Sequence, residues 1–262
     1  MTDAATPEEA PSPERLVRYG WASELAGGGR VLDAACGAGW GTVALARTAS
    51  SAVGIDFSPA AIADARERYG DRAEFREGDL RGLPFEEASF DTVVCFEAIP
   101  HVAHPASVVD ELRRVLRPRG LLLISSPNRD AYPAGNPLHL NEMTSTQFGE
   151  LLASRFTNVA LHRQQTYLAS LLCSDAEQES RDGSSQLEAR TAKLAGGPPG
   201  SELHAVAVAT DGELPAAPAW LALGEEVDFA GQRRLLEEWQ DRAVRAEAKA
   251  LALERELRAA QG

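Results

Sequence analysis

The chain has 262 residues, 44% of them apolar and 25% charged, with 22 glycines and 15 prolines. That is material for one large domain or two small ones, and it excludes collagen-like and wholly disordered chains. With 26 basic against 39 acidic residues and a net charge of −13, the chain repels phosphate backbones and anionic lipid surfaces, so nucleic-acid binding is excluded as the expected class.

Residues 1–12 are acidic and Pro-rich, which predicts a disordered tail. They carry neither the basic nor the apolar region of a secretory signal. Pro13 to Leu25 suits a helix with Ser12 as N-cap, ended by Gly27, Gly28 and Gly29. A strict alternation follows. Strands are expected at Arg30–Ala34, Ala52–Asp56, Ala73–Glu77, Phe90–Phe96 and Gly120–Ser125. Helices are expected at Trp40–Thr48, at Pro59–Tyr69 behind Ser58 as N-cap, and at Ala106–Leu116. Thr146–Phe156 then reads as a helix, Val159–Tyr167 as a strand and His204–Thr210 as a last strand. Strands alternating with helices at this spacing imply an α/β fold, a parallel sheet covered on both faces.

No apolar run approaches the roughly 18 residues that cross a bilayer. Residues 174–200 are polar and end in GGPPG, as expected of a flexible insertion, and 211–224 form a Pro/Ala-rich linker. In 225–262, Leu236, Trp239, Ala243, Ala246, Ala250, Leu253 and Leu257 alternate spacings of three and four, a heptad seam. That segment is expected to be an amphipathic helix. It either packs on its own domain or pairs, as a coiled coil, with a second copy or a partner protein. Cys36, Cys95 and Cys173 are too few and too scattered for a disulfide framework or a CxxC metal site, so a soluble cytoplasmic protein with reduced thiols is expected.

The chemistry begins in Val31-Leu-Asp-Ala-Ala-Cys-Gly-Ala-Gly-Trp-Gly41. An apolar strand ends at Asp33, and Gly37, Gly39 and Gly41 open a helix in a tight turn where backbone can approach a ligand. A dinucleotide fingerprint would place glycine at 42, where the chain has Thr42. A carboxylate at Asp33 would repel a pyrophosphate and attract an ammonium or sulfonium group. Asp56 ends the second strand, where an acid accepts ribose hydroxyls in doubly wound folds, and Phe57 beside it can lie on a base. Asp79 ends the third strand and can accept from an adenine amino group. Any one acid is ordinarily an N-cap or loop residue; three at successive strand ends point to one ligand edge.

These residues resemble class I S-adenosylmethionine-dependent methyltransferases, the group related to ubiquinone and menaquinone biosynthesis methyltransferases. The resemblance runs over about residues 14–210 and includes Leu83 to Val102 (LPFEEASFDTVVCFEAIPHV) and Glu111 to Asn128 (ELRRVLRPRGLLLISSPN). It implies a doubly wound, Rossmann-like, seven-stranded sheet whose last strand is antiparallel, in a domain of residues 13–210. It also implies S-adenosylmethionine as cofactor. Asp33, Ala35, Gly37 and Gly39 would bind its methionine end, Asp56 and Phe57 the nucleoside, Asp79 and Leu80 the adenine, with Phe96 completing the set. RYGWA (Arg18 to Ala22) matches a subgroup that often accompanies glycan-assembly enzymes, and Arg18 and Tyr19 would close over the cofactor carboxylate.

The acceptor side rests on Glu97, His101 and His104, and on Asn136-Pro-Leu-His139-Leu-Asn-Glu142. Some relatives read Glu-x-x-Glu-His at the first place and bind a divalent metal. Pro100 stands in for the second acid here, so no metal is expected. The leading reading is O-methylation of a small molecule or glycan, with either His101 or His139 as base and Glu142 orienting His139. Two readings stay beside it: a non-catalytic cofactor-binding scaffold that recruits a glycan-assembly partner, and a nucleotide-dependent oxidoreductase, against which Asp33 argues.

Overall fold

A computed structural model of the chain describes residues 12–131, 138–165 and 202–217. The chain divides into two units, 1–222 and 223–262, and every described residue belongs to the first. The expected tail before residue 12, the insertion at 174–200, Cys173 and the seam at 225–262 lie outside the described residues.

The helices are α1 (Pro13–Leu25), α2 (Trp40–Ala46), α3 (Pro59–Tyr69), α4 (Pro105–Val115) and α5 (Ser145–Ala153). The strands are β1 (Arg30–Ala34), β2 (Ser51–Asp56), β3 (Glu74–Glu77), β4 (Phe90–Cys95), β5 (Leu116–Pro127), β6 (Asn158–Gln164) and β7 (His204–Thr210). Local chemistry sets several ends. The Ser58 hydroxyl accepts from Ala61 N–H at 3.3 Å, and Pro59 fits the first helical position. Thr144 and Gln147 form a reciprocal capping box that starts α5 one residue before the expected place. Ser12 makes no side-chain cap bond, and α1 starts on Pro13 alone.

One expectation needed correction. β5 begins at Leu116, directly after α4, and not at Gly120. Leu116 pairs with Phe90, the register then shifts before Thr92 meets Leu121, and Arg119 takes a left-handed φ of +66° to absorb the slack. The strand thus runs through an exposed Arg117-Pro-Arg119 edge that no apolar pattern marks.

The sheet order is β3-β2-β1-β4-β5-β7-β6, with the first five strands parallel and β7 antiparallel to both β5 and β6. The central strands are buried on both faces, which is why they read as continuous apolar runs. Along β4, Val93 and Cys95 join the layer built on α4 and α5, while Val94 and the following Phe96 join Tyr19, Trp21 and Leu45 from α1 and α2. β7 alternates Ala205, Ala207 and Ala209 toward α5 with Val206 and Val208 toward α1. The chain leaves β1 in one direction and β4 in the other, so the carboxyl ends of these neighbours form the crevice where open α/β sheets take ligands. No helix among the described residues is long and apolar enough to cross a membrane.

Candidate functional site

At that crevice lies a cavity of about 200 Å3, lined by Arg15, Arg18 and Tyr19 from α1, Ala35, Cys36 and Gly37 from the turn after β1, and Phe96 and Glu97 after β4. The turn is bolted to β2: the N–H groups of Ala35 and Cys36 both donate to the Ile55 carbonyl, at 2.8 and 3.0 Å. Ala35, Gly37 and Gly39 have φ of +71°, +55° and +86°, so the chain reverses within five residues.

The three glycines serve different ends. A Cβ at Gly37 would meet nothing within 4 Å, so this position faces open space at the cavity. A Cβ at Gly39 would press on Phe75 and Ala65, at 2.6 and 2.8 Å, and one at Gly41 would strike the Tyr19 ring. Gly39 and Gly41 therefore let α2 settle against α3 and α1, and of the three only Gly37 lines the cavity.

Asp33 stands behind the cavity and not in its wall. It is 1% exposed, accepting from the Tyr19 hydroxyl at 3.0 Å and from Thr42 Oγ1 at 2.7 Å. Burial raises its pKa to about 6 despite those two bonds. Burial and the neighbouring Asp33 also push the Tyr19 phenol well above its ordinary value, so it stays a donor. Tyr19 meets Trp40 and Phe96 edge-on at 5.7 and 5.2 Å. Asp33 thus latches α1, with its cavity residues, onto β1. Cys36 lines the cavity, but burial, with Asp33 and Asp56 near, raises its thiol far out of nucleophilic range. Cys95, fully buried in β4, is raised to about 12.

Asp56 is held from both sides: Gly37 N–H donates to Oδ2 and Ser58 N–H to Oδ1, each at 2.9 Å. Each oxygen keeps lone-pair capacity for a further donor. Phe57, next to it, is 79% exposed, an unusual state for an aromatic ring beside a cleft. Gly78 N–H donates to the Asp56 carbonyl at 3.0 Å, which ties the loop after β3 to the same place. On that loop Asp79 takes three bonds from the Arg81 guanidinium and one from the Arg81 N–H, which together hold the carboxyl below its ordinary range. Leu80 packs on the apolar layer beneath.

Glu97 carries a left-handed φ of +58°. Its N–H donates to Ser125 Oγ at 3.1 Å, and the Ser125 hydroxyl donates back to Oε1 at 2.6 Å. The same Oε1 accepts from Arg18 Nη1 at 3.2 Å, and His204 Nε2 lies 3.5 Å from Oε2. Arg18 is 5% exposed, its Nη1 also donates to Gln164 Oε1 at 3.0 Å, and its buried Nε has no partner among the described residues. The cavity therefore sets cationic Arg15 and Arg18 beside anionic Glu97, complementary to a zwitterion.

His101 closes the 3-10 turn Ile99–His101 after Glu97. The segment 138–142 is fastened to that turn, because Leu140 and Asn141 N–H both donate to the Pro100 carbonyl, at 2.7 and 3.1 Å. The contacts fix both imidazole tautomers. His101 Nδ1 faces the Leu138 carbonyl at 3.1 Å, and His139 Nδ1 faces Glu142 Oε1 at 2.9 Å. Each partner can only accept, so each Nδ1 carries a proton. The rings meet edge-on at 5.1 Å; the His139 side chain is buried and His101 exposed. His104 is exposed, at the start of α4. Among the described residues no group of three His, Cys, Asp or Glu could hold a metal ion.

The structure thus brings Ala35, Gly37, Phe96 and Glu97 to one cavity and places Gly39, Asp33, Asp56, Phe57, Asp79, Leu80, His101 and His139 outside its wall. The sequence reading missed Arg15, Ser125, Gln164 and His204. Ser125, Gln164 and His204 carry one signal, a polar residue at or near a strand end, and Arg15 on α1 carries none.

A family described as a methyltransferase domain matches residues 32–124. A protein of Mycolicibacterium smegmatis, named as an S-adenosylmethionine-dependent methyltransferase, is 36% identical over 177 residues, which cover 66% of this chain and 67% of that one. The chain belongs to the S-adenosylmethionine-dependent methyltransferases. A ubiquinone biosynthesis O-methyltransferase of Paracidovorax citrulli is 38% identical over 122 residues, 44% of this chain and 51% of that one, so the chain spans about half of that relative's length. A methyltransferase of Haloferax volcanii, solved with a methyltransferase activator, shares the fold with a TM-score of 0.55 at 18% identity, covering 78% of this chain and 91% of that one.

The family's cofactor is S-adenosylmethionine, and the residues present fit it. The buried, unpartnered Nε of Arg18 suits a carboxylate, Glu97 an ammonium, the open face of Gly37 close backbone approach, and exposed Phe57 a purine face.

Proposed function

We propose that this methyltransferase methylates a hydroxyl oxygen of a small molecule or glycan, with His139 as the base. The observation that carries this reading is the part-buried His139–Glu142 pair, in which a carboxylate oxygen lies 2.9 Å from His139 Nδ1 on the segment fastened to the turn after β4. The name of the Paracidovorax relative supports an oxygen acceptor.

In this reading Arg18 binds the cofactor's carboxylate and Tyr19 closes beside it, held by Asp33. Gly37 and Gly39 shape the turn around the methionine end. Asp56 accepts the ribose hydroxyls, Phe57 covers the base, and Asp79 and Leu80 border the adenine. When bound, S-adenosylmethionine supplies a methyl group on a cationic sulfur, open to in-line attack. The chain's own work is alignment, exclusion of water and removal of the acceptor's proton. His139 takes that proton on Nε2, and Glu142 steadies the imidazolium that results. His101, exposed and held by a neutral carbonyl, lacks such a counter-charge.

The test is turnover by S-adenosylhomocysteine release across sugars, nucleotide sugars and quinol precursors. His139→Ala should cut turnover about 10²–10⁴-fold and leave affinity for S-adenosylhomocysteine unchanged. Full activity in His139→Ala would remove it as the base.

A further inference from the structure

Arg18 is the buried guanidinium of the cavity, and the bonds it makes among the described residues are both through Nη1. For Nε to meet a ligand, the plane of the group has to be fixed by what holds Nη1. Two acceptors do so, and each is fixed in turn. Gln164 Nε2 donates to the Glu14 carbonyl at 2.9 Å, which forces its amide oxygen toward Arg18. Glu97 is held at its unusual φ by Ser125, which accepts from its backbone and donates to its carboxylate. Its second oxygen faces His204, the first residue of β7, paired there with Pro127 on one side and Gln164 on the other. The antiparallel strand β7, which contributes no residue to the cavity wall, thereby reaches it through His204.

We propose that Ser125 and His204 are positioning residues for the amino-acid end of the cofactor, acting through Glu97 on the Arg18 guanidinium. This rests on the reading of the cavity as the methionine subsite. It makes β7 part of the specificity for ligands that carry a carboxylate and an ammonium, as distinct from the nucleoside that Asp56 and Phe57 serve. Because Glu97 already accepts from Ser125 and Arg18 and faces His204, its part is to hold Arg18 and not to accept the acceptor's proton.

The experiment compares calorimetric affinities for S-adenosylhomocysteine and for 5′-methylthioadenosine, which keeps the nucleoside and sulfur but lacks both charged groups. Wild type should prefer the first. Ser125→Ala and His204→Phe should each weaken S-adenosylhomocysteine about tenfold, the scale of one hydrogen bond to a charged group, and leave 5′-methylthioadenosine unchanged. His204→Gln, which still donates toward Glu97, should retain most of the preference. Loss of affinity for both ligands alike, or for neither, in variants of a wild type that discriminates would overturn this inference alone. A wild type that binds the two equally would overturn the methionine-subsite reading and this inference with it.

Discussion

Replacing Asp56 with Ala removes two things at once, and the structure lets them be separated. In the folded chain the carboxylate accepts from Gly37 and Ser58 N–H, both at 2.9 Å. Both donors belong to residues that are only partly buried, so water can replace the lost acceptor and the cost to folding should be modest, about 1–2 kcal/mol. The ligand loses more. A carboxylate accepting hydroxyl bonds contributes about 1.5–3 kcal/mol, which is roughly 10- to 150-fold in affinity. Slackening of the Gly37 turn, which fronts the cavity, acts in the same direction. Calorimetry with S-adenosylhomocysteine measures the second effect and denaturant unfolding the first. Asp56→Asn keeps one acceptor oxygen and should fall between wild type and Asp56→Ala in affinity. An Asp56→Ala protein that folds normally and binds S-adenosylhomocysteine as tightly as wild type would refute the assignment of this strand end to the ribose.

Other outcomes follow from the packing and charge around α1. Gly41→Ala pushes a methyl into the Tyr19 ring and should cost about 1–3 kcal/mol of stability by overpacking. Gly37→Ala meets open space, so it should cost about 1 kcal/mol for its left-handed φ and act mainly on ligand affinity. Asp33, with a folded pKa raised to about 6 from 3.8, binds protons more readily folded than unfolded. Its contribution therefore falls as pH rises through that window, by about 3 kcal/mol in all. Asp79, Asp91, Glu111 and Asp211 are depressed and act oppositely, losing stabilisation as pH falls through their lowered values. The unfolding free energy of Asp33→Asn relative to wild type should accordingly improve between pH 4 and pH 7; a constant difference would show that Asp33 ionises freely. Deleting residues 225–262 should leave S-adenosylhomocysteine binding intact and change the oligomeric state read from the light-scattering mass, and an unchanged oligomeric state would remove the coiled-coil expectation.

The pattern of strands and helices was legible because each had a local cause. The bounds of α1, β1, α3 and β7 follow from Pro13, Pro59, Ser58 and clean apolar runs between polar ends. The start of β5 was not legible, since Arg117, Pro118 and Arg119 pattern as a loop and only pairing with Phe90 and the bulge make them strand. The start of α5 is set by the Thr144–Gln147 capping box, a signal present in the sequence itself. At the site, the glycines and the acids at strand ends mark the ligand edge, but not which of them face it. That depends on what packs from afar: Tyr19 on Gly41, Phe75 on Gly39, Tyr19 and Thr42 on Asp33. Ser125, Gln164 and His204 reach Glu97 and Arg18 across long stretches of chain, and no local period records such a meeting.

The central claim is oxygen methylation driven by the His139–Glu142 pair, and one measurement addresses it directly. S-adenosylhomocysteine release should be followed against pH with an accepted hydroxyl substrate, in wild type, Glu142→Gln and His139→Ala. Wild-type turnover should fall on acidification as His139 takes a proton from solvent instead of from the acceptor. Glu142→Gln should shift that fall to lower pH, because the imidazolium loses its counter-charge, and His139→Ala should lose both the fall and about 10²–10⁴-fold of the rate. Turnover that is equal in all three proteins, or that occurs only with amine acceptors, would contradict the account.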